Sequence, residues 1–165
     1  MAGYSLTIEQ RALVALGRAL RAEADGKQLR RDLIKELKKP LAPAVSEIKA
    51  GVMAMPASGI PSAGESLRRA VARRIKSEAK LSGRAVGVRV RARRTPAVRG
   101  FANAPKRLNS PKGWRHPVFG RDQWVSQLGK PHYFDEPLQG RRQEFRRAVI
   151  RAMDQAARRL RMRII

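Results

Sequence analysis

The chain has no cysteine among its 165 residues. That excludes disulfides, thiolate zinc sites and thiol nucleophiles together. Aromatic residues make up only 5% of the chain. They also cluster away from the basic stretches, which argues against a stacking platform for single-stranded nucleic acid. No apolar run approaches the ~18–20 residues of a membrane span. The N-terminus lacks a basic region followed by an apolar signal stretch, so a soluble, non-exported product with no membrane partner is expected. Acidic residues are scarce too, with 13 Asp and Glu against 37 Lys and Arg, a net charge of +24. An imbalance of that size points to a polyanion as partner.

The charge is patterned along the chain. Residues 65–99 carry a net +10 and residues 141–165 a net +7, whereas residues 1–64 and 100–140 carry only +4 and +3. Two segments therefore hold most of the excess, unlike a uniformly basic tail.

The residues that catalysis needs are missing or badly spaced. His116 and His132 stand sixteen positions apart with no metal-ligand spacing around them. Asp135 and Glu136 are adjacent and do not converge, and a helix start explains them better. Ser58 and Ser62 lack a G-x-S-x-G context. No glycine-rich turn leads into a Lys-Ser/Thr pair. The expectation is a protein that is not an enzyme, with no catalytic, cofactor or metal residues to assign.

Apolar periodicity lays out the elements. Thr7 and Gln10 form a capping-box pattern, and Leu13, Leu16 and Leu20 recur at helical spacing, predicting a helix over 7–24. Ile34, Leu37, Leu41, Val45, Ile48, Val52 and Met55 continue at steps of three or four. Pro40 and Pro43 interrupt that stripe and predict a kink near residue 39. Residues 56–64 read as a loop. By Arg74 the period has changed to two. Ile75, Ser77, Ala79 and Leu81 alternate with Arg74, Lys76, Glu78 and Lys80, and after Ser82-Gly83-Arg84 the valines 86, 88 and 90 alternate with Gly87, Arg89, Arg91 and Arg93. This predicts a β-hairpin with one aliphatic and one basic face. Arg89, Arg91 and Arg93 would stand about 7 Å apart, able to track phosphates without reading bases. A solvated sheet face is the plain alternative.

Residues 94–113, with Pro96, Pro105 and Pro111, read as a long loop. The stretch from Trp114 to Phe134 concentrates Trp114, His116, Phe119, Trp124, Tyr133 and Phe134. These rings either close over the core or anchor a neighbouring subunit. From Asp135 to residue 163 a last helix is expected, with Phe145, Val149, Ala152, Ala156 and Leu160 as its buried stripe and arginines elsewhere. The fold class is thus α+β in a single domain, with long kinked N-terminal helices and a C-terminal amphipathic helix packed on a small antiparallel sheet. Its segments are helices over 7–55, loop and basic hairpin over 56–93, a proline, glycine and aromatic loop over 94–134, and a helix over 135–163.

The order of these pieces resembles the small neck and tail-completion proteins of long-tailed double-stranded DNA phages, the gene-ten-like putative tail-component family. The residues that carry the resemblance are Ala63-Gly64-Glu65-Ser66-Leu67-Arg68 and Trp114-Arg115-His116-Pro117-Val118-Phe119-Gly120. The resemblance spans about residues 27–162, and the tryptophan-led stretch is its specific part. It implies a non-enzymatic virion protein, made in the host cytoplasm, that assembles as a ring, six-fold, at the head–tail junction. Its partners would be neighbouring connector and tail proteins and the genomic DNA in the channel. On this reading Arg74, Lys76, Lys80, Arg89, Arg91 and Arg93 face DNA or a partner ring, and the six aromatic-segment residues contact neighbours. A ribosomal-protein-like or nucleoid-associated nucleic-acid-binding module is the alternative, followed by a toxin-like basic ribonuclease.

Overall fold

The computed structural model of the chain describes residues 3–6, 10–56, 66–96, 101–117 and 122–164. The fold is α+β, as expected. It divides into two compact units, one built from residues 1–3, 44–76 and 91–139, the other from 4–43, 77–90 and 140–165.

In the second unit, α1 (Gln10–Ala22) and α2 (Gly26–Lys38) pack on each other and on the long C-terminal helix, α7 (Arg142–Ile164). Leu13, Leu20, Leu33, Leu37, Phe145, Val149 and Leu160 form their buried core. Gly17 is buried in the apolar row of α1, where a Cβ would stand 3.0 Å from the Leu81 carbonyl oxygen. Leu16, expected in that row, is only half-buried, because the close approach occurs one residue later. Likewise Leu33 rather than Ile34 holds the buried position of α2. The interruption expected near residue 39 is a single 3-10 turn, Lys39–Leu41, with Pro40 in its first positions. Proline is tolerated there because the first N–H groups of a helical turn have no partner to lose.

In the first unit, α3 (Ala42–Met53) buries Ala44, Ile48 and Val52, and α4 (Leu67–Arg74) buries Ala70, Val71 and Ala72. Ser66 caps α4 by accepting the Arg69 N–H at 3.4 Å. Arg68 turns back to donate to the Met53 and Met55 carbonyls at 3.1 and 2.6 Å. Those carbonyls lie at the end of α3 and just beyond it, where helical partners run out. The Ser66-Leu67-Arg68 portion of the first motif is therefore structural, and Ala63–Glu65 lie outside the described residues.

The strands β1 (Gly3–Leu6), β2 (Ile75–Lys80) and β3 (Gly87–Ala92) form a sheet in the order β1-β3-β2. β1 has no counterpart in the sequence-based expectation. Arg93 donates its backbone N–H to the Arg74 carbonyl at 3.1 Å, which joins the end of β3 to the start of β2 and makes the hairpin antiparallel. The aliphatic face is buried at Ile75, Val88 and Val90.

The described residues of 94–134 are not the loop expected from their prolines. Asn103 stands at the N-cap of α5 (Ala104–Asn109), and Pro105 sits in the first turn of that helix. A first-turn proline starts a helix as readily as an interior one breaks it. Trp114–Pro117 (β4) and Trp124–Gln127 (β5) then pair antiparallel, with Trp114 opposite Gln127 and Pro117 opposite Trp124. Gly113 before β4 has φ 63°, and a Cβ there would collide with the Gln127 carbonyl oxygen. The final helix is likewise not continuous. A short α6 (Glu136–Gln139) ends at Gly140, and α7 begins at Arg142.

Candidate polyanion interface

The register of the β2–β3 hairpin decides which basic residues stand together. The Arg93–Arg74 backbone bond puts Arg74 opposite Arg93. Two residues further along each strand, Lys76 faces Arg91, and two further again Glu78 faces Arg89. The last pairing is visible directly, as the Arg89 Nε donates to the Glu78 Oε2 at 3.3 Å. Both side chains of that ion pair are largely covered, at 20% and 14% exposure. Arg89 is thus engaged inside the hairpin. Of the row Arg89, Arg91 and Arg93, Arg93 at the far end is exposed and Arg91 is half-buried.

The cations gather instead at the base of the hairpin. Arg73 and Arg74 from the last turn of α4, Lys76 from β2 and Arg93 just beyond β3 line one open basin of about 380 Å³. All four lining residues are cations. Arg73 was not among the residues singled out from sequence. Its signal was present in the change from helical to strand period at residues 74–75, which lets two adjacent arginines turn toward a third element. Lys80 is exposed but does not line the basin.

The aromatic segment separates into buried and open halves. Tyr133 and Phe134 are 2% and 1% exposed and meet edge to face at 6.4 Å. The Tyr133 hydroxyl donates to the Pro105 carbonyl at 3.2 Å. Burial raises its pKa, and the neighbouring Asp135 carboxylate raises it further. Asn109 holds the same turn. Its amide nitrogen donates to Asp135 at 2.6 Å, and its amide oxygen accepts the Phe134 N–H at 2.9 Å. Tyr133 and Phe134 are therefore core residues of their own unit, the first of the two alternatives, and not the subunit contacts that the resemblance implies. Two adjacent residues are both buried here because helical turns flank them, not an alternating strand.

Trp114 and His116 are half-buried on β4. Trp114 leans on Phe101 at 5.6 Å, and the Arg107 guanidinium lies 5.3 Å from the centre of the Phe101 ring. Every residue of β5 is exposed, including Trp124 at 56%, and Leu128 just beyond it is 58% exposed. Phe119 lies outside the described residues, as do the other members of the specific motif beyond Pro117.

Among the described residues, no three His, Asp or Glu side chains gather in a metal-binding group. No described helix is long and apolar enough to cross a membrane. The slit between α1, α2 and α7, walled by Leu20, Leu33, Ala156 and Leu160, has a volume of about 40 Å³. Small-molecule sites are usually about 300–1,000 Å³.

No family model, curated protein or solved structure matches the chain.

Proposed function

We propose that this chain is a structural subunit of the head–tail junction of a long-tailed double-stranded DNA phage. Copies form a ring, six-fold, joined to the neighbouring connector and tail proteins and enclosing the channel that DNA crosses. The observation that carries the proposal is the two-faced hairpin. One face supplies Ile75, Val88 and Val90 to the buried core, while the other, with α4, presents a basin lined by cations alone. A channel must attract DNA without gripping a sequence, and diffuse charge with no base-reading side chains suits that task. The exposed Trp124, Val125 and Leu128 supply an apolar contact for the next copy. The role is structural rather than catalytic.

The same basin favours a second reading, a nucleic-acid-binding module that works alone. That reading requires tight, salt-steep binding by the isolated chain. The ring reading requires weak binding per subunit, with affinity appearing on assembly. Sequencing a few kilobases on each side of the reading frame separates the two. Capsid, portal, tail-tube or tape-measure neighbours are the expected result. Ribosomal, nucleoid or antitoxin neighbours would overturn the virion assignment.

A further inference from the structure

We infer that the basin formed by Arg73, Arg74, Lys76 and Arg93 is a binding site for the phosphodiester backbone of duplex DNA, read without regard to sequence. This rests on the proposed channel role for its biological meaning, but its chemistry stands on the basin itself.

Three features favour a phosphate ligand. First, the residues converge from different elements, the end of α4, the start of β2 and the end of β3, and the Arg93–Arg74 backbone bond pins two of them opposite each other. Second, the register sets Arg74 against Arg93 and Lys76 against Arg91. Like charges directly opposite destabilise a sheet, whereas opposite charges support it. One step along the same hairpin, Glu78 faces Arg89 and the opposite-sign arrangement is used. At the basin the register thus sets like charges, Arg74 and Arg93, opposite each other, and a polyanion lying there would be attracted by both. Third, three of the four lining residues are arginines. Their planar forks match phosphate oxygens two bonds at a time, which a lysine ammonium does not.

The shape and lining narrow the class further. The basin is open, which suits one stretch of an extended polyanion rather than an enclosed metabolite. Its lining has no aromatic ring on which a base would stack and no amide to read a base edge. The C-terminal end of α4 is the wrong end of a helix dipole for an anion, so side chains rather than backbone N–H groups must hold it.

The test uses the full chain and a labelled 20-base-pair duplex titrated across a series of salt concentrations. The variant Arg73→Ser/Lys76→Ser/Arg93→Ser removes three basin cations. The variant Arg146→Ser/Arg147→Ser/Arg151→Ser removes the same charge from the exposed face of α7. Thermal unfolding confirms that both remain folded. If the basin holds phosphates, the basin variant lowers the steepness of log K against log salt by about 2.7, since each contact contributes about 0.9. The α7 variant should change that slope by less than one contact. Replacing Arg73, Arg74 and Arg93 by lysine should keep most of the slope but weaken binding several-fold. Equal losses in the two serine variants would overturn the site, showing that net charge alone governs binding. A polyglutamate chain that binds wild type but not the basin variant, while duplex binds both alike, would overturn it in favour of an acidic protein partner. A virion role can fail through the gene neighbours while these slopes stand, and the reverse also holds.

Discussion

The two hairpins differ in what holds them. In the β2–β3 hairpin each strand has six residues, and Ile75, Val88 and Val90 are fully buried on one side. The β4–β5 hairpin has strands of four residues, and β5 is exposed throughout. A buried face fixes register, because a slip of one residue would expose every apolar side chain. The β4–β5 hairpin gains little from burial along β5 and depends on Trp114 against Phe101 and on the Gly113 turn. The first hairpin is thus scaffold and charge platform at once, while the second offers its apolar residues outward.

Substitutions at matched positions of the two hairpins should have unequal effects. Val90→Asp places an uncompensated carboxylate in a site with 0% exposure. It should cost about 3–5 kcal/mol in urea unfolding, enough to unfold many domains. Val125→Asp makes the same change on β5, where the side chain is 37% exposed, and should fall within about 0.5 kcal/mol of wild type. Comparable losses at the two positions would mean that β5 is covered. The aromatic segment carries the same contrast. Phe134→Ala, at 1% exposure, should cost about 3–5 kcal/mol. Trp124→Ala should leave the stability of the isolated chain nearly unchanged yet weaken self-association, as sedimentation would show.

Smaller effects sharpen the account of the turn beneath that segment. Asn109→Ala removes the acceptor of the Phe134 N–H and the donor to Asp135. The expected cost is about 1–3 kcal/mol, since part-buried groups lose their partners. Tyr133→Phe should cost about 1 kcal/mol at neutral pH through the bond to Pro105. Its signature lies in alkali. Because burial raises the Tyr133 pKa, the unfolded chain gives up the hydroxyl proton first, at about pH 10. The contribution is therefore complete below that pH and is lost as pH rises above it. Stability should fall less steeply above about pH 10 in the phenylalanine variant than in wild type. Identical slopes would show that the hydroxyl titrates alike in both states.

How much of this was legible follows from where burial imposes a period. The valines and arginines of β3 alternate strictly, so the hairpin and its two faces could be read directly. The leucines of α1 and α2 did the same for the helices, and Pro40 marked the 3-10 turn. The β4–β5 hairpin left no such trace, because four-residue strands with an exposed β5 impose little alternation. Helix α5 was hidden by Pro105, which reads as a breaker until Asn103 is seen at the cap before it. Within the candidate site, Arg74, Lys76 and Arg93 were legible from strand period. Arg73 was less so, since it lies in the last turn of α4 and joins the basin only through the change of element at residue 75. The engagement of Arg89 by Glu78 depends on strand register, which alternation alone does not supply.

As proposed, the chain joins heads to tails. Electron microscopy of lysates from a phage with this reading frame disrupted tests it most directly. DNA-filled heads and separate tails with no joined particles are expected, with whole virions restored by the wild-type chain supplied in trans. Joined, infectious particles in the disrupted lysate would contradict it.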